Sequence, residues 1–188
     1  MRNPWLVLFS FLVIFQGGCA DRAKFSIDPA SEFLEEGHFE IRYPSDWKIT
    51  TETYYPDSDF NKTLLTLHHP KNKACQLTIK ILDLKSPSEM QSLLSRIMPQ
   101  EIRELQITFE KDGYKDFSFR TTKKDFSGEP ATQVLATAGK STKDREATMV
   151  IIPYKNMIYI LTYQGFSFWP PEVKSRLKET LYSFRFVR

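Results

Sequence analysis

The chain has 188 residues, 26 basic against 23 acidic, with 14% aromatics and only two cysteines. That length holds one medium-sized core. A formal charge of +3 is too balanced to favour nucleic acid as a partner; it becomes +2 once Arg2 leaves with a leader, 25 basic residues against 23 acidic.

The N-terminus has one positive charge at Arg2, then an apolar run from Trp5 to Phe15 broken only by Ser10. Charge, short apolar core and small residues, in that order, form the pattern of a secretory signal peptide. The run is too short to span a bilayer, which takes about 20 residues. The alternative is a buried first helix; a surface helix would show a polar face. The run ends in Gln16-Gly17-Gly18-Cys19-Ala20-Asp21. Gly17-Gly18-Cys19 resembles a bacterial lipobox, in which the cysteine is acylated and becomes the new N-terminus. Gln16 stands where that motif usually has Leu. The competing cut, after Gly18-Cys19-Ala20, would release a soluble chain starting at Asp21. Lipidation at Cys19 is the preferred expectation, with residues 1–18 as leader. Acyl chains contribute about 0.8 kcal/mol per buried methylene, so more than one chain holds a domain at a membrane without a spanning helix. Ala20 after the cysteine, rather than Asp, matches the lipoprotein rule for outer-membrane sorting.

Residues 19–37 read as a lipidated tether, with Phe25, Phe33 and Leu34 able to dock. The folded domain is expected over residues 38–188. Phe39, Ile41 and Tyr43 alternate with Glu40 and Arg42, a half-buried strand. A turn at Pro44-Ser45-Asp46 leads to Trp47, and residues 50–61 read as a polar loop carrying Tyr54 and Tyr55. Strands are predicted at 63–68 and 75–82. In the second, Cys75, Leu77, Ile79 and Ile81 share a face, so Cys75 reads as a buried small hydrophobe. Ser86-Pro87-Ser88-Glu89 carries the signs of a capped helix start. Met90, Leu93, Leu94, Ile97 and Met98 form one helical stripe, and Pro99 is expected to end it. Strands are then predicted at 106–111, 116–122, 132–138, 148–154 and 157–163. The last two are apolar on both faces, the mark of strands covered on both sides. Only Lys155-Asn156 separates them, a tight hairpin. A final helix opens at Pro170-Pro171-Glu172 with Val173, Leu177, Leu181 and Phe184 on one side. The predicted class is α+β, an α/β/α sandwich whose central, mainly antiparallel sheet carries helices on both faces.

Three stretches, His38–Ile49 (HFEIRYPSDWKI), Arg145–Gly165 (REATMVIIPYKNMIYILTYQG) and Pro170–Phe186 (PPEVKSRLKETLYSFRF), resemble the PsbP-like family. They match its opening strand, proline turn and tryptophan, its late hairpin, and its closing helix with a Ser-Phe and short strand. The family includes photosystem II accessory proteins, bacterial lipoprotein relatives and a fold-related Ran-binding import factor. The resemblance implies a non-enzymatic module that docks onto other macromolecules. No run maps onto the photosystem-binding segments, so no binding residue is carried over.

Catalytic signatures are missing from the sequence. His68 and His69 are adjacent, so a strand points them to opposite faces. Residues 57–61 start like a calcium loop, but Lys62 replaces the required glycine and His68 the bidentate glutamate. Gly165-Phe166-Ser167-Phe168-Trp169 lacks the second glycine of a nucleophile elbow. No enzyme, cofactor or metal is expected. Binding candidates are Trp47, Tyr54 and Tyr55, and Phe166, Phe168 and Trp169, since such aromatics anchor interfaces; their competing role is to staple helix onto sheet. Lys123-Lys124 and Lys140, Lys143 and Arg145 read as solvated hairpin ends or, more sharply, as contacts to anionic lipid.

The favoured function is a lipid-anchored, non-catalytic docking or accessory module of the bacterial envelope, on the outer membrane facing the periplasm. Its expected partners are the membrane and an envelope protein or complex, with no nucleic acid. In a photosynthetic source this becomes a photosystem II accessory role. A periplasmic carrier with a pocket lined by Trp47, Tyr54 or Trp169 is the second reading, and a hydrolase with a diverged site the third.

Overall fold

The computed structural model describes residues 31–34, 39–45, 47–54, 60–69, 72–84, 86–140 and 143–187. The leader, Cys19, Phe25, His38, Tyr55 and residues 57–59 of the calcium-like run lie outside the described residues. The strands are β1 (Ser31–Leu34), β2 (Phe39–Arg42), β3 (Lys48–Tyr54), β4 (Phe60–His69), β5 (Asn72–Leu84), β6 (Lys115–Phe126), β7 (Glu129–Lys140), β8 (Lys143–Tyr154), β9 (Met157–Phe166) and β10 (Arg185–Phe186). Two α-helices join them, α1 (Met90–Lys111) between β5 and β6, and α2 (Pro171–Tyr182) between β9 and β10.

Seven strands form one antiparallel sheet in the order β3-β4-β5-β9-β8-β7-β6. The two segments that are apolar on both faces stand at its centre, as their composition demands. Tyr154 faces Met157 across the Lys155-Asn156 turn, with Lys155 in the left-handed region at φ 54°. Successive residues of β8 enter different cores. Met149 and Ile151 join α1's Leu93, Ile97, Leu105 and Phe109, while Val150 and Ile152 join α2's Leu177 and Leu181 and the following Phe184. Every residue from Val150 to Ile152 is at most 2% exposed.

Where prediction and structure part, packing explains it. α1 passes through Pro99 and ends at Lys111, so residues 106–111 are helix and not strand. An interior proline costs about 3 kcal/mol. Burial of Ile102, Leu105 and Phe109 beyond it contributes about 1.5–3 kcal/mol each, so continuation wins. Pro99 lies on the exposed side, where water can satisfy the carbonyl it orphans. Ser86 does not cap the backbone; its Oγ lies 2.8 Å from that of Ser88, and Pro87–Glu89 form a 3₁₀ turn before α1 begins.

Much of the segment expected as a loop over 50–61 is strand. β3 pairs with β4 from Lys48 to Tyr54. It is an edge strand, and Thr50, Thr51 and Glu52 are exposed, so it shows no apolar alternation to read. Lys123-Lys124 also sit inside a strand, since the turn lies at Ser127-Gly128, both at positive φ.

The opening strand does not join the main sheet. β1, β2 and β10 make a separate three-stranded sheet, with β2 in the middle. β1 therefore falls within the stretch read as a tether. Phe39 and Ile41 of β2 are fully buried in the α2-side core, and Phe39 stacks on Phe184 at 4.9 Å. The Ser183 hydroxyl closes this join, accepting from Arg42 N–H at 2.9 Å. The closing helix, Ser-Phe and short strand thus take the arrangement that the resemblance implied.

Candidate functional site

The chain leaving β9 crosses the end of the sheet and touches both cores. Phe166 packs with the α1-side cluster and Trp169 with the α2-side cluster. Their ring centroids are 5.3 Å apart, and Phe168 lies 5.1 Å from Phe166. The turn is pinned by Ser167 N–H donating to the Asp144 carbonyl at 2.9 Å and Trp169 N–H to the Phe166 carbonyl at 3.2 Å. Gly165 permits this closure. A Cβ there would stand 2.7 Å from the Tyr163 hydroxyl and 3.0 Å from the Trp169 ring. Phe166 and Trp169 thus have the geometry of staples. Phe168 is 52% exposed.

Trp47 is buried in the α2-side core and meets His69 edge-on at 5.9 Å. Tyr54 ends β3, roughly 20 Å along the strand from Trp47. These two aromatics are therefore not neighbours. The register Lys48–His68–Gln76–Gln164 instead puts Trp47 and Gly165 at the same end of the sheet, three strands apart.

Two charged groups outside the expected set organise the α1 face. Arg145, read from sequence as a hairpin-end cation, is 5% exposed. Its guanidinium pairs with Asp112 just past α1 and donates to Gln164 Oε1 at 2.9 Å. It also lies over the Phe109 ring at 4.9 Å, with Phe166 and Tyr114 within 6 Å. Burial lowers its pKa from the usual guanidinium value, but a guanidinium has ample margin to stay charged. Lys80, on β5, pairs with Glu101 of α1 and lies 3.3 Å from Glu104. Strand alternation carries the signal for both, because Arg145 shares the face of Ala147, Met149 and Ile151, and Lys80 that of Leu82 and Leu84.

Grooves flank this framework. One of about 720 Å³ lies between α2 and β6–β8, and one of about 740 Å³ between α1 and the Pro130 end of β6–β8. A smaller groove borders Tyr182 and Arg185. Neither Trp47 nor Trp169 lines any of the three. No described helix is long and apolar enough to cross a membrane.

An antiparallel sheet with one long helix, a closing helix and a short terminal strand defines an α+β domain of the PsbP-like fold. The solution structure of cyanobacterial PsbP (CyanoP) from Synechocystis covers 91% of this chain and 98% of its own, with TM-score 0.56 and 12% identity. A Bacteroides thetaiotaomicron crystal structure matches at TM-score 0.50 and 7% identity, over 84% of this chain and 48% of its own. At such identities the likeness concerns the fold alone. No family model matches the sequence, and no curated protein does so significantly.

Proposed function

We propose that this protein is a lipid-anchored, non-catalytic docking module of a bacterial envelope, its Cys19 acylated and its domain held at the outer membrane facing the periplasm. The observation that carries the reading is the N-terminal order of Arg2, a short apolar run and Gly17-Gly18-Cys19. An acylated Cys19 makes encounter with membrane-bound partners effectively intramolecular, so modest contacts suffice. Exposed Phe168, braced by Phe166, supplies one such contact. The likeness to CyanoP in fold supports an accessory role; in a photosynthetic source the complex served would be photosystem II.

The domain is read as a three-layer α/β/α body, α1 and α2 on opposite faces, with Met149 and Val150 dividing between their cores in support. Mass spectrometry of the mature N-terminal peptide tests the anchor. The expected species begins at Cys19 and carries acyl chains. An unmodified chain beginning at Asp21 overturns it.

A further inference from the structure

The α2 side of the large sheet is wider than its helix. Seven strands span roughly 30 Å, and a helix covers about 10–12 Å. α2 sends Leu177, Thr180 and Leu181 into the core and leaves the same face of β6 and β7 open. The result is the groove of about 720 Å³, walled by α2 and floored by Leu135, Thr137 and Gln133 of β7. It is continuous at Tyr182 with the smaller groove that Lys124 and Arg185 border.

Its charge is one-sided. Arg120 on β6 faces Lys174 and Lys178 on α2 across the floor. Glu146 is the acidic residue of this groove and is already held by Lys174 at 2.9 Å. In the smaller groove, Asp125 accepts the Gly128 N–H at 3.1 Å. Arg120 and Lys178 are exposed and make no ion pair among the described residues. Lys124 lies 4.8 Å from the centre of the Tyr182 ring. The shape is equally specific. Ser118 to Lys124 runs roughly 20 Å along β6, the length of about six extended residues. β6 pairs with β7 and stands at the end of the sheet, so its outer backbone groups border the same trough.

We infer that this groove binds an extended acidic peptide segment of a partner protein, its carboxylates met by Arg120 and Lys178 and its apolar side chains by Leu135 and Tyr182. A bilayer surface is the lesser fit, because a flat array of headgroups cannot enter a trough walled by a helix. The inference rests on the docking reading for where the partner is met, and the groove's chemistry can be measured independently of the anchor.

The test uses the full chain in zwitterionic detergent and a fluorescein-labelled peptide of alternating glutamate and valine, about eight residues long. Anisotropy should report salt-sensitive binding, and hydrogen exchange should slow at 118–124, 133–137 and 174–182. The Arg120→Glu/Lys178→Glu double variant should weaken binding at least about tenfold, while Arg103→Glu/Lys111→Glu, on exposed α1 positions, should leave it unchanged. Equal binding of the acidic peptide by the groove variant, equal binding of a lysine-valine peptide, or protection outside these segments overturns the inference. So does protection of the groove by phosphatidylglycerol vesicles without peptide binding. Loss of peptide binding with Cys19 acylated would remove this inference alone, and absence of acylation with binding intact would remove the anchor alone.

Discussion

In the three-layer arrangement proposed above, the two faces of the large sheet are covered by different means. The α1 face carries a 22-residue helix fastened by two ion pairs, Lys80 with Glu101, both largely buried, and buried Arg145 with the half-exposed Asp112. The α2 face carries a 12-residue helix beside an aromatic cluster, where Phe184 meets Phe39, Tyr159 and Phe186 with centroids 4.9–5.9 Å apart. Ion pairs need placed partners, and the cost of desolvating the charges offsets much of what pairing gains. Aromatics contribute area, and they close the β2 side of that face. The β6 side stays open, and Arg120 and Lys178, which make no ion pair among the described residues, stand there. The long helix thus leaves a groove at the Pro130 end of β6–β8, and the short one leaves the trough proposed above as a peptide site.

Substitutions can break this contrast. The largest loss is expected from Phe184→Ala, about 4 kcal/mol, because the ring is fully buried and joins both sheets to α2; denaturant unfolding measures it. Glu101→Leu should cost about 3 kcal/mol by leaving Lys80 with the more exposed Glu104 alone. Lys80→Met added to Glu101→Leu should recover most of that loss, since a matched apolar pair avoids burying charge. Failure to recover would mean that the pair does more than compensate itself. Gly165→Ala should cost about 2 kcal/mol through its clash with Tyr163 and Trp169, with tryptophan fluorescence shifting as Trp169 is displaced. Phe168→Ser should change stability by less than about 0.5 kcal/mol, yet reduce crosslinking yield in native membranes.

The same contrast decides how much was legible in the sequence. β8 and β9 could be placed at the sheet's centre because both their faces are apolar. The closing helix could be placed because Val173, Leu177, Leu181 and Phe184 keep one period. The second half of α1 was hidden by Pro99 and by Glu101, a charge inside the apolar stripe whose partner sits on a distant strand. Exposed Ile107 completed the disguise by alternating with Phe109 as a strand would. β3 was hidden because Thr50, Thr51 and Glu52 of this edge strand are exposed in succession and leave no apolar period. Arg145 was readable from its register with Ala147 and Met149, but hairpin-end position outweighed that signal. The α2 groove follows from the widths of a helix and a seven-stranded sheet, a relation among distant elements that no local pattern encodes.

Fractionation of cells making the full chain or its Cys19→Ser variant tests whether Cys19 anchors the domain. Wild-type protein is expected in the outer-membrane pellet, resistant to high salt, and the variant displaced from it into soluble or leader-retaining fractions. Identical partitioning of the two, or wild-type protein in the cytoplasm with its leader intact, would contradict it.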